Sequence, residues 1–152
     1  MLRFTIASIF IALLSISCAA EEAEAESVSE LPIIQVFKSP TCGCCSKWVT
    51  HLEANGFEVK AIDVDDINLV KRSYGIPPAL ASCHTAVVGD YLVEGHVSAE
   101  DIVEMLKQKP AIKGIAVPGM PIGSPGMEGS APQAYDVVSF DEKGDTEVFS
   151  SH

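Results

Sequence analysis

Three thiols crowd into four residues at Thr41-Cys42-Gly43-Cys44-Cys45, and the residues on either side say where in a fold such a run can sit. Ile33-Ile34-Gln35-Val36-Phe37 is a nearly unbroken apolar run with β-branched members, the pattern of a buried strand. Ser39-Pro40-Thr41 interrupts it. Thr41 or Ser39 is expected to cap a following helix, in which Cys45, Trp48, Val49 and Leu52 recur at i, i+3, i+4 and i+7. Asn55-Gly56 closes that helix. The cysteines therefore occupy a strand-to-helix turn at a helix N-terminus, where the helix dipole favours thiolates. Lys38 and Lys47 are expected to add positive potential there.

The chain beyond continues in short, well-punctuated elements. Phe57 to Val64 reads as a second strand. A helix over Asp65 to Tyr74 follows, capped by Asp65 or Asp66 and closed by Gly75. Pro77-Pro78 breaks the chain, leaving Ala79 to Ser82 as a single helical turn. Thr85 to Val88 and Tyr91 to Glu94 flank Gly89-Asp90, a strong hairpin signal. Ser98 with Asp101 starts another helix, with Ile102, Val103, Met105 and Leu106 on its apolar side and Pro110 past its end. This β-α-β-α-β-β-α order predicts an α/β protein, a thioredoxin-like sandwich. Residues 114–133, rich in Gly, Pro, Ser and Met, read as a loop. Tyr135 to Phe140 and Thr146 to Phe149 suggest a C-terminal β-hairpin around Lys143-Gly144.

The N-terminus has a different character. Arg3 precedes an apolar run from Phe4 to Ile16, about 13 residues, which is short for a membrane span and suits a secretory signal. Residues 1–19 are read as that signal, or as a lipoprotein signal ending before Cys18, because Ser15-Ile16-Ser17-Cys18 resembles a lipobox. Residues 20–31 read as an acidic linker, and 32–150 as one metal-binding domain. The expected location is the periplasm, with a lipid anchor in the bacterial envelope as the membrane-attached form. Ten basic residues stand against 21 acidic ones, a net charge of −11. Nucleic-acid binding is excluded on that ground, since no surplus of Lys or Arg exists to neutralise phosphates.

Cys42 and Cys45 have the Cys-x-x-Cys spacing of thiol–disulfide enzymes, yet thiolates also bind metals, and the motif alone does not separate the two. Three features favour metal. Cys44 is a thiol that a dithiol cycle does not need. Cys83-His84 arrives just before the third strand, where the expected fold brings it beside the first helix. His96, Met120 and Met127 supply further donors in turn-rich segments. Thiolates with thioethers select Cu(I), with zinc as the less favoured alternative. The candidate ligands are Cys42, Cys44, Cys45 and Cys83, and the crowding suits thiolates that bridge more than one ion. His84, His96, Met120 and Met127 are candidates for completing or shielding the site. Trp48 and Met105 are assigned to the core. His51 lies about 10 Å along the helix from Cys44, too far to share an ion. Two rival functions remain: a thiol–disulfide oxidoreductase in which Cys42 attacks and Cys45 resolves, and a metal-free envelope scaffold stapled by disulfides.

Three separated motifs carry a family resemblance. Cys42-Gly43-Cys44-Cys45-x-x-Trp48, the block from Ser82-Cys83-His84-Thr85-Ala86 to Glu94-Gly95-His96-Val97, and Gly119-Met120-Pro121-x-Gly123-Ser124-Pro125-Gly126-Met127-Glu128 resemble the CopG-like family of exported metal-binding proteins. The resemblance spans about residues 32–150. It implies a thioredoxin-like fold, a part in bacterial copper resistance, and copper held by Cys42, Cys44, Cys45 and Cys83. It also implies interconversion of Cu(I) and Cu(II), and other envelope copper-handling proteins as partners.

Overall fold

The computed structural model describes residues 31–152. The expected signal over residues 1–19, the lipobox cysteine Cys18 and nearly all of the acidic linker lie outside the described residues. The elements run β1 (Ile34–Lys38), α1 (Gly43–Ala54), β2 (Val59–Asp63), α2 (Ile67–Tyr74), a 3-10 turn (Pro78–Leu80), β3 (His84–Val88), β4 (Tyr91–Glu94), α3 (Ala99–Gln108), β5 (Gly114–Ala116), β6 (Asp136–Phe140) and β7 (Thr146–Ser151). The seven strands form one mixed sheet in the order β2-β1-β3-β4-β5-β6-β7. Pairings β1–β2 and β4–β5 are parallel and the rest antiparallel.

Both faces of the sheet are covered, and strand alternation sorts the side chains between them. Ile34, Val36, Ala86, Val88, Val93 and Ile115 point to the side of α1 and α3, where they enclose Trp48, Leu52, Ile102 and Met105. Leu92, Ala116 and Phe140 point the other way, toward Ile76 and Leu80. On that second face Phe37 meets Tyr74 of α2 with ring centroids 5.8 Å apart. Trp48 satisfies its one polar atom by donating from Nε1 to the Val97 carbonyl at 2.7 Å.

Several local expectations need correcting. The cap of α1 is Cys42, not Thr41 or Ser39: Cys42 has extended backbone and its Sγ accepts from the Cys45 N–H at 3.3 Å. The Ser39 and Thr41 hydroxyls bond each other instead. Helix α2 starts at Ile67, capped by Asp66, rather than at Asp65. Strand β2 is shorter than Phe57 to Val64, and Phe57 is instead buried in the core.

The larger correction concerns residues 114–133. Gly114–Ala116 is not loop but strand β5, paired on both sides, and it merges the C-terminal hairpin into the main sheet. Three residues are too few to show a period. Gly114 is needed because a Cβ there would stand 2.2 Å from the Leu92 carbonyl oxygen. Among the described residues no helix is long and apolar enough to cross a membrane.

Candidate metal centre

Two segments distant in sequence converge at the N-terminus of α1. Cys42 caps the helix, Cys44 and Cys45 lie in its first turn, and Cys83 arrives on the residue before β3. The four Sγ atoms all lie within 4.8 Å of one another. Cys42 and Cys45 are joined as a disulfide, while Cys44 and Cys83 are free and partly buried. Cys44 Sγ stands 3.5 Å from Cys42 Sγ and 3.8 Å from Cys83 Sγ.

Both candidate histidines reach the same sulfur. His96 Nε2 is 3.0 Å and His84 Nδ1 is 3.3 Å from Cys83 Sγ, and these three residues form a second ligand-capable group sharing Cys83. The His96 tautomer follows from its other contact. Nδ1 lies 2.7 Å from the Pro125 carbonyl, which only accepts, so Nδ1 carries the proton and the Nε2 lone pair faces Cys83. His84 is wholly buried, its ring 4.2 Å from that of Trp48, and its Nε2 has no hydrogen-bond partner.

Burial governs the protonation states. It pushes the Cys83 thiol up to about 12, and neighbouring Cys44 pushes the same way. It holds His84 well below the usual imidazole range, with His96 and Lys71 adding to the effect. His96 is lowered by burial too, against opposing pulls from the Pro125 carbonyl and Glu128. Both rings are therefore kept neutral, the form in which imidazole donates to a metal, whereas Cys83 must lose its proton before it can ligate.

The Gly/Pro/Met loop lies against this centre. Gly126, at φ +84°, packs where a Cβ would stand 2.8 Å from the Cys44 carbonyl oxygen and 2.9 Å from the Trp48 nitrogen. Glu128 Oε1 accepts from the Gly126 N–H at 2.6 Å, and those backbone contacts hold its carboxyl below the usual range. Between loop and helix runs a cleft of about 400 Å³ lined by Cys44, Lys47, Ile122, Met127 and Glu128, among others. Met127 thus shares this cleft with Cys44, while Met120 is 54% exposed. Of the two lysines expected to polarise the thiols, Lys47 lines the cleft, but Lys38 is paired with Asp63 at 2.7 Å. His51 serves α3 instead of the sulfurs, its Nε2 accepting from the Ala99 N–H at 3.1 Å.

Sequence reasoning missed two kinds of participant. The Pro125 carbonyl orients His96 through backbone, which has no side-chain signature. Lys71, Thr85 and Glu94 form a buried polar cluster behind Cys83; they sit in α2, β3 and β4, and each looks ordinary in its own segment.

Against known proteins, residues 80–127 match the family described as "Protein of unknown function, DUF411". Two solved structures, of forms 2 and 1 of a copper resistance protein CopG, are each 44% identical to this chain. The matches cover 81% of this chain and 99% and 98% of those chains, with TM-scores of 0.76 and 0.75. A comparison with curated proteins gave no match.

Proposed function

The chain belongs to the CopG-like copper-resistance family, and from that premise we propose that it is an exported protein that binds Cu(I) at Cys42, Cys44, Cys45 and Cys83 as a thiolate cluster. The observation that carries this reading is the convergence of the four sulfurs within 4.8 Å. Sulfur donors select Cu(I) over harder ions. Four sulfurs at this separation suit one tetrahedral ion or several bridged ones. The adjacency of Cys44 and Cys45, which makes it hard for both to join Cys42 on one tetrahedral zinc, favours the bridged cluster. His96 completes the donor set through Nε2. His84 supports the Cys83 sulfur through Nδ1, and Met127 shields the open side. Export rests on the N-terminal sequence pattern. The thioredoxin-like reading is supported by the β2-β1-β3-β4 half of the sheet, with parallel β1–β2 and antiparallel β3–β4.

The Cys42–Cys45 disulfide supports copper redox interconversion. Oxidising that pair of thiols releases two electrons and two protons, which balances the reduction of two Cu(II) to two Cu(I). An external dithiol, itself oxidised to a disulfide, would supply the two electrons and two protons that reduce the bridge and restore the four-thiol site. Anaerobic titration of the reduced protein with Cu(I), alongside single Cys-to-Ser variants, tests the proposal. More than one Cu(I) per chain, with stoichiometry falling on loss of each cysteine, is the expected result; saturation at zero or one ion sinks the cluster.

The same disulfide, seated at a helix N-terminus, favours a second reading as a thiol–disulfide oxidoreductase. Insulin reduction that survives both Cys44→Ala and Cys83→Ala, and needs only Cys42 and Cys45, would select it. A metal-free scaffold stapled by two bridges has less support, because Cys44 and Cys83 are free.

A further inference from the structure

Glu94 is wholly buried and Lys71 is 5% exposed, on the face of the sheet opposite the sulfurs. Strand alternation accounts for the placement. Ala86 and Val93 pair across β3–β4 and point to α1, so their neighbours Thr85 and Glu94, also directly paired, point to α2. Lys71 comes from α2 to meet them. Its three ammonium hydrogens find three acceptors: Glu94 Oε1 at 2.5 Å, Thr85 Oγ1 at 3.0 Å and the His84 carbonyl at 3.3 Å. Glu94 Oε1 also accepts from the Ser82 N–H at 2.6 Å, and Oε2 accepts from the Thr85 hydroxyl at 2.7 Å.

A buried ion pair is weak evidence for stability, because apolar residues of similar size often serve as well; its attested uses are in fixing geometry. The geometry fixed here brackets one residue. The pair bonds to the N–H of Ser82 and to the carbonyl of His84, the backbone groups on either side of Cys83. The β3–β4 pairing begins at Thr85 opposite Glu94. His84 is also held by β1 at Lys38 and by the Gly95 N–H, which donates to its carbonyl at 3.3 Å, and Cys83 lies just outside the ladder.

We propose that Lys71 and Glu94 are positioning residues for the Cys83 sulfur, acting through the flanking backbone from the far side of the sheet to keep that sulfur within reach of Cys44 and His96. The consequence for metal binding rests on the copper reading above; the positioning does not.

The test is the double variant Lys71→Met with Glu94→Gln, which removes both charges, keeps an acceptor for Ser82 and approximates the original volumes. Reduced full-length protein is treated with diamide and digested with trypsin, and the bridge between peptides 39–47 and 73–107, which only Cys83 can make, is followed over time. Cys83 alkylation and anaerobic Cu(I) affinity are measured in parallel, and a thermal melt confirms folding. In the folded variant bridge formation is expected to slow about tenfold and Cu(I) affinity to fall about tenfold, the range for losing a group that orients a ligand. A folded variant that bridges and alkylates at the wild-type rate overturns the proposal. If the double variant does not fold, Thr85→Val removes the hydroxyl joining Lys71 to Glu94, and it is read the same way: slower bridging supports the proposal and an unchanged rate overturns it. Should bridging slow while neither protein takes up Cu(I), the positioning stands and the copper reading fails.

Discussion

His51 shows how one side chain links helix capping to pH. Its Nε2 accepts from the Ala99 N–H, one of the orphan donors at the start of α3. Protonation would cancel that bond and set a cation at the positive end of the helix dipole. Burial lowers its pKa from 6.5, against opposing pulls from Glu128 and Glu100. The unfolded chain therefore takes up this proton at a higher pH than the folded one. The stability it contributes is complete above about pH 6.5 and is lost as pH falls through the lower folded value. Urea unfolding of the metal-free chain is expected to shift to lower midpoints from about pH 7 to about pH 5, and His51→Gln, which keeps an acceptor, to flatten that slope. His84 and His96, lowered by burial in the same direction, leave a residual slope; an unaltered slope in the variant would show that folding does not shift the His51 titration. At this scale the sequence was readable wherever chemistry is local. The cysteine run announces itself, and Cys83-His84 follows from its place before a strand. Lys71 and Glu94 were not readable, because their pairing spans 23 positions and both are ordinary surface residue types.

At the scale of elements, long periodic segments were legible and short ones were not. Helix α1 buries Cys45, Trp48 and Leu52 as their spacing predicts, and Gly89-Asp90 marks the β3–β4 turn. Strand β5 escaped notice because its three residues are identified only by partners on both sides. The loop that follows it has no regular structure, yet its composition carries meaning: glycine lets the chain lie directly on a helix. Gly126 sits at φ +84°, and the atoms a Cβ would meet are backbone of α1, which cannot swing aside. Gly126→Ala is expected to cost about 2 kcal/mol or more, from the left-handed backbone plus the clash. It should also lift Pro125 from His96 and expose the loop to proteases. Gly43→Ala is the matched control, since a Cβ there meets nothing within 4 Å; it should be neutral or stabilising by about 0.5–1 kcal/mol, as for other helical glycines. Equal effects from the two substitutions would mean that the loop does not rest on α1.

For the whole molecule, the candidate metal centre ties together the start of α1, the entry to β3 and the Gly/Pro/Met loop, so the redox state of the site, and any metal it takes, must register in global stability. The disulfide closes a very short loop, with a sequence separation of 3, and chain entropy then limits its contribution to about 2 kcal/mol. Reducing it should lower the melting temperature by several degrees without unfolding the chain, since the seven-stranded sheet and its two apolar clusters do not depend on that bond. On the proposed reading, Cu(I) added to the reduced chain would bind sulfurs from segments 38 positions apart, Cys45 and Cys83, that only folding brings together. Ligand at about a hundred times its dissociation constant stabilises by about 2.7 kcal/mol, enough to offset the lost bridge. The expected order of melting temperatures is therefore reduced metal-free lowest, with the copper-loaded reduced chain at or above the oxidised one. Differential scanning calorimetry on the three forms checks it. A copper-loaded chain that melts with the reduced metal-free one would place the bound ion on the cysteine trio alone, without Cys83, because a site confined to one helical turn can persist when the chain unfolds.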